Sequence, residues 1–215
     1  MLLQKLIGRN QRLDAYLDVA EFLSGLFLVG FLWTHMLFVA TIIFGTKIFN
    51  KVPAILDATY ISYVGIFMVI IVILLHMLVA GRKIPANLQD QLIIWRHARR
   101  LSQKDTWTWV FQVVTGISIL ILASIHIWAI LSGWPINAQI SAGRVQETFF
   151  WFYMLFLVVC EYHAGIGIYR IAVKWGWIHR QKVGKVLTVI TCSIVILGLA
   201  ALLIFRFVIK AGGAP

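Results

Sequence analysis

Five long apolar runs alternate with short polar segments along the chain, at about residues 22–46, 59–81, 107–133, 147–172 and 185–209. A helix needs about 20 apolar residues to cross the roughly 30 Å hydrocarbon core of a bilayer. The intervening segments are polar or carry Pro53, Pro85 or Pro135, which predicts connections rather than spans. The pattern predicts an all-α polytopic membrane protein. Five transmembrane helices form one integral membrane domain over residues 1–215, with its site in a four-helix bundle core. The first run begins too late and extends too far for a cleaved signal peptide.

Composition agrees. Of the residues, 61% are hydrophobic and 13% charged. Soluble domains carry about 25% charged residues, so a soluble globular reading and a disordered one are both excluded. Lys and Arg number 19 against 8 acids, a net charge of +11. These cations lie between the apolar runs, so they report topology rather than a nucleic-acid partner. The N-terminal arm (Lys5, Arg9, Arg12), the second loop (Arg82, Lys83, Arg96, Arg99, Arg100, Lys104) and the fourth (Arg170, Lys174, Arg180, Lys182, Lys185) hold 14 of them. Only Lys47, Lys51, Arg144, Arg206 and Lys210 fall on the other side. Short basic loops stay cytoplasmic, which places the N-terminus inside and the C-terminus outside. Trp107, Trp109, Trp175 and Trp177 fall at the expected inner boundary, and Trp134 and Trp151 at the outer one. The connections are too short to form a soluble catalytic domain. Cys160 and Cys192 lie in apolar runs, and no C-x-x-C or C-x-x-C-H occurs. Zinc, iron–sulfur and covalently attached c-type haem sites are thereby disfavoured.

Six histidines are present. His97 and His179 lie in the basic inner loops and read as solvated or partner-facing. His35, His76, His126 and His163 lie one in each of the first four spans. Ionisable side chains within a span are costly and mark functional sites. With a rise of 1.5 Å per residue, His35 and His126 fall in the outer half of the membrane, and His76 and His163 in the inner half. Two imidazoles from separate helices at one depth suit a six-coordinate haem, one on each face of the ring. Zinc or copper would want three or four ligands at one level, and a histidine proton relay leaves the pairing unexplained. The expectation is two b-type haems stacked across the bilayer.

Three further features fit. Eleven residues before His35, His76 and His126 stand Ser24, Gly65 and Thr115, with Gly25 and Gly116 adjacent. These small residues leave room for the other macrocycle, or serve ordinary close helix packing. For the anionic propionates, Lys174 and Trp109 are placed to serve the inner haem and Arg144 the outer. Snorkelling, the aromatic belt and a solvated loop charge are the respective alternatives. Glu161 lies near the middle of the fourth span, about 200° around the helix from His163. A carboxyl at that depth is expensive. It reads either as a neutral group bonded between helices or as one that takes and releases a proton. Glu21, at the inner start of the first span, reads as interfacial.

The stretch EYHAGIGIYRIAVKWGW, Glu161 to Trp177, resembles the fourth-helix signature of the dihaem cytochrome b subunit of quinol:fumarate reductases and succinate:menaquinone oxidoreductases. Arg12 to Gly45 resembles that family's first helix and Asp105 to Trp128 its third, and RKIPANLQ follows His76. The resemblance implies two haems b, with His35 and His126 on the outer iron and His76 and His163 on the inner. It implies a menaquinone/menaquinol site, and a flavoprotein subunit and an iron–sulfur subunit on the cytoplasmic side of a bacterial inner membrane. Fumarate chemistry belongs to the flavoprotein, and a dimer of the complex is compatible with it. It links Glu161 to transmembrane proton transfer. The family can place a glutamate near the outer end of the second helix, at the quinol site. Here the only acid in KVPAILDATYIS is Asp57, which either substitutes or caps a helix. The rival readings are the succinate-oxidising direction and, in a different class, a haem-free proton channel or transporter.

Overall fold

The computed structural model describes residues 11–101, 103–176 and 180–211. Among them there is no strand. The helices are α1 (Gln11–Ala40), α2 (Thr46–Ala58), α3 (Ile61–Gly81), α4 (Leu88–Leu101), α5 (Lys104–Ser132), α6 (Ala138–Arg144), α7 (Phe150–Lys174) and α8 (Arg180–Phe207). A 3-10 turn (Thr41–Phe44) extends α1, and a π segment (Val145–Phe149) joins α6 to α7. Five stretches are long and apolar enough to span a bilayer: Gln11–Phe44, Ile61–Gly81, Thr106–Ser132, Ala138–Val173 and Gly184–Phe207. The polytopic all-α expectation is met. Lys5, Arg9, Trp177, His179 and Lys182 lie outside the described residues or side chains.

Two of the expected connections are helical. Pro53 sits inside α2 rather than ending it, with Phe49 and Pro53 on the buried face. Asn87 Oδ1 accepts from the Gln89 N–H at 3.0 Å, supplying the cap that starts α4 two residues after Pro85. The fourth span also begins earlier than expected. Asn137 Oδ1 accepts from the Ile140 N–H at 2.9 Å and opens α6.

The spanning helices pack as two hairpins. α1 lies against α3, and α5 against α7. α8 packs closely on both α1 and α7, whereas α3 and α5 are not closely packed. The apolar core sits at the end that the distribution of Lys and Arg assigns to the outer side, where Ile42, Phe49, Ala142, Val145, Leu157 and Phe205 come together. Polar ties reinforce it: Asn50 Oδ1 accepts from the Ala138 N–H at 2.7 Å, and Gln146 Nε2 donates to the Phe205 carbonyl at 2.8 Å.

At the inner end charge does the same work. Arg82 and Lys83, just past α3, both pair with Asp18 and Glu21 of α1. Arg82 Nη1 lies 2.9 Å from Glu21 Oε2 and Lys83 Nζ 3.1 Å from Asp18 Oδ1. Glu21 is therefore an ion-pair partner rather than simply interfacial. These side chains are partly exposed, and such pairs contribute up to about 1 kcal/mol each. The cluster sets the register of α1 on α3 more than it adds to stability.

The approach of α8 to α1 and α7 depends on Gly198. A Cβ there would lie 2.7 Å from Met36 Cε and 2.8 Å from Leu157 Cδ2. Overpacking of this kind costs about 1–3 kcal/mol. Gly198→Val is expected to lower the thermal midpoint of the detergent-solubilised protein; an unchanged midpoint contradicts this close approach.

Candidate functional site

The four intramembrane histidines fall into two pairs, each drawn from both hairpins. At the outer level His35 of α1 faces His126 of α5, ring centroids 6.1 Å apart and planes at 69°. At the inner level His76 of α3 and His163 of α7 lie close enough for their charges to interact. Ser24, beside His76, is eleven residues from His35, and Thr115, beside His163, is eleven from His126. At 1.5 Å per residue the levels are about 16 Å apart.

The levels have different surroundings. The outer pair is boxed by aromatic rings. Phe31 stacks on His35 at 5.5 Å, and Tyr153 and Phe156 pack on His126 at 5.6 Å each. His126 Nδ1 is buried with no hydrogen-bond partner. At the inner level Ser24 Oγ lies 2.9 Å from His76 Nδ1, and Thr115 Oγ1 lies 3.0 Å from His163 Nδ1. Gly25 and Gly116 let these rings lie against the neighbouring helix. A Cβ at either position would sit 3.1 Å from the histidine Cε1. Gly65 meets nothing within 4 Å. The small residues eleven positions before each outer histidine thus hold the inner ligands rather than simply making room. The Ser-Gly and Thr-Gly pairs were visible in the sequence; their partner ring was not.

A metal is bound by an imidazole nitrogen at about 2.0–2.1 Å, so two rings flanking one ion from opposite sides have centroids about 6 Å apart. The outer pair has that separation. Among the described residues no group of three or more His, Cys, Asp or Glu could hold a metal ion. The outer pair therefore fits a bis-imidazole iron, and no three-ligand cluster of the kind zinc or copper takes is found among the described residues.

Arg144 lies near enough to His126 for its charge to be felt there, and its Nη2 donates to the Gly133 carbonyl at 2.7 Å. Trp109 lines a cavity of about 540 Å³ at the inner end, with Asp18, Glu21, Lys83, Tyr169 and Arg170. The Lys174 side chain lies outside the described residues. Glu161 is fully buried. The Trp33 indole interacts with its carboxyl, yet neither carboxyl oxygen nor the indole nitrogen completes a hydrogen bond of ordinary geometry. Sequence reasoning found Glu161 but missed Trp33, which looks like any other aromatic residue of an apolar run. Asp57 does not cap α3, whose N-cap position is Tyr60. It lies near the end of α2, with Oδ1 buried and unpartnered. His97 is exposed on α4.

Comparison with known proteins places the chain in a family. A family model described as succinate dehydrogenase/fumarate reductase transmembrane subunit matches residues 89–202. The chain is 29% identical to the fumarate reductase cytochrome b subunit of Wolinella succinogenes, over 95% of this chain and 85% of that one. It is also 29% identical to the subunit of that name from Helicobacter pylori, over 86% and 78%. It is 27% identical to the succinate dehydrogenase cytochrome b558 subunit of Bacillus subtilis, over 76% and 82%.

Gly116→Val is expected to push the His163 ring from its seat. Pyridine haemochromogen analysis of the purified variant should then show less haem b per chain than the parent; an unchanged haem content contradicts the cradle.

Proposed function

The chain belongs to the succinate dehydrogenase/fumarate reductase transmembrane subunit family, and on that footing we propose that it is the dihaem cytochrome b anchor of a quinol:fumarate reductase. The observation that carries this reading is the 6.1 Å approach of His35 to His126 between hairpins. When bound, the two b haems supply one-electron carriage, linking menaquinol on the outer side to an iron–sulfur and flavoprotein pair on the cytoplasmic side. The assembly sits in a bacterial inner membrane, the N-terminus inside and the C-terminus outside.

The chain's own residues ligate, orient and neutralise. His35 and His126 hold the outer iron, and His76 and His163 the inner. Arg144 offsets propionate charge at the outer level, and Trp109 and Lys174 serve the propionates at the inner. The helices exclude water from the ligands. The single integral membrane domain contributes no fumarate chemistry.

Glu161 moves a proton at its carboxyl oxygens. Carrying one charge across 100 mV costs about 2.3 kcal/mol. An inward proton accompanying inward electrons cancels that charge movement. A buried carboxyl without a hydrogen-bond partner costs about 1–3 kcal/mol, which a purely structural position has no reason to retain. The name of the Bacillus subtilis relative favours the succinate-oxidising direction as a second reading, through the same ligands.

A reduced-minus-oxidised spectrum of the purified complex, with haemochromogen quantitation, should give two haems b per chain. No haem in a folded, haem-supplied preparation overturns the reading in favour of a proton channel or transporter. His76→Ala and His163→Ala should each remove the inner haem, and an unchanged spectrum in both would sink the pairing. Glu161→Gln should keep both haems but slow quinol-linked turnover in coupled proteoliposomes; normal turnover there counts against the proton role.

A further inference from the structure

The inner histidines are held by one device built twice, and its hydrogen bonds have a direction. Ser24 Oγ lies 3.1 Å from the Glu21 carbonyl oxygen, and Thr115 Oγ1 lies 2.6 Å from that of Phe111. A hydroxyl has a single proton to donate, and on a helix it goes to a carbonyl of the preceding turn. With each hydroxyl proton given to its carbonyl, only lone pairs face the histidines. The contacts to His76 Nδ1 and His163 Nδ1 therefore need the proton on Nδ1, which leaves the lone pair on Nε2.

A second observation fixes the same tautomer at His163. Gln112 Nε2 lies 3.3 Å from His163 Nε2 and 3.2 Å from the His163 carbonyl oxygen. That carbonyl can only accept, so the amide nitrogen, not its oxygen, faces the ring. An amide N–H aimed at the imidazole Nε2 needs a lone pair there, the same lone pair that an iron would take in its place. At the outer level His126 Nδ1 has no partner at all.

A ligating histidine whose other nitrogen donates a hydrogen bond is a more basic ligand, fixed in orientation. Hydrogen bonding around an iron centre is one of the protein's means of setting its potential. We propose that Ser24 and Thr115 are positioning residues that lock His76 and His163 as Nδ1–H tautomers, present Nε2 to the inner iron, and hold the inner midpoint potential below the value the same ligands would give unbonded. The inference rests on the bis-histidine reading of the inner pair.

The test is a redox titration of haem absorbance in the purified complex, with the low-spin ferric signal followed by electron paramagnetic resonance. The variants are Ser24→Ala, Thr115→Val, their combination, and Thr115→Ser. The inner step is identified as the one lost in His76→Ala. Each hydroxyl deletion should keep two haems and shift the inner step upward. The double variant should shift it further, with the outer step unmoved and Thr115→Ser like the parent. Two haems with unchanged potentials and signals overturn the proposal. If Thr115→Val loses the inner haem, Thr115→Ser decides. Retention at the parent potential assigns the loss to the hydroxyl and supports the proposal, whereas loss there as well makes the site one of packing and overturns it. Two haems absent from the unmodified complex would instead remove the bis-histidine reading itself.

Discussion

A neutral imidazole offers one donor and one acceptor, and inside hydrocarbon neither finds water. Four such rings placed in four spans oblige the protein to account for eight ring nitrogens. Much of the architecture follows from how it does so. The helices pair as hairpins, α1 with α3 and α5 with α7, and the histidines meet between the hairpins. Had α3 packed closely on α5, the space in which paired rings can face one another would have closed. At the inner level one nitrogen of each ring is bonded to a hydroxyl on the partner helix of its own hairpin. At the outer level aromatic rings surround the pair and His126 Nδ1 is left unbonded. The two levels use the same residue type in unlike electrostatic surroundings.

The two ends of the bundle are held by different forces. At the outer end Phe49, Leu157 and Phe205 belong to a packed apolar cluster, and Arg206 and Gln146 tie α8 to the π segment. At the inner end Asp18 and Glu21 face Arg82 and Lys83 across the hairpin. Apolar packing is not screened by salt, whereas partly exposed ion pairs are screened within about 8–10 Å at physiological ionic strength. The inner end, where the cations are concentrated, is the more responsive of the two to its aqueous surroundings.

Most of this was legible in the sequence, because the bilayer makes length and depth readable. Apolar run length gave the five spans, and the 1.5 Å rise sorted four histidines into two levels without any knowledge of packing. What stayed hidden needed three dimensions. The α2 helix was masked by Pro53, which a short interfacial helix tolerates inside its span. The α4 helix was masked by Pro85, although Asn87 was a usable cap signal. The roles of Ser24 and Thr115 depend on which ring lies opposite, and sequence spacing gives depth but not azimuth. Trp33 beside Glu161 and Glu21 beside Arg82 were missed for that reason.

The last helix carries no histidine, yet α8 is the element that packs closely on both hairpins. Chain order turns that into a matter of time. The ribosome makes α8 after all four histidine-bearing spans, so those spans leave it ahead of the helix that packs on both hairpins. A nascent chain stopped before Gly184 would carry every imidazole and lack the clamp.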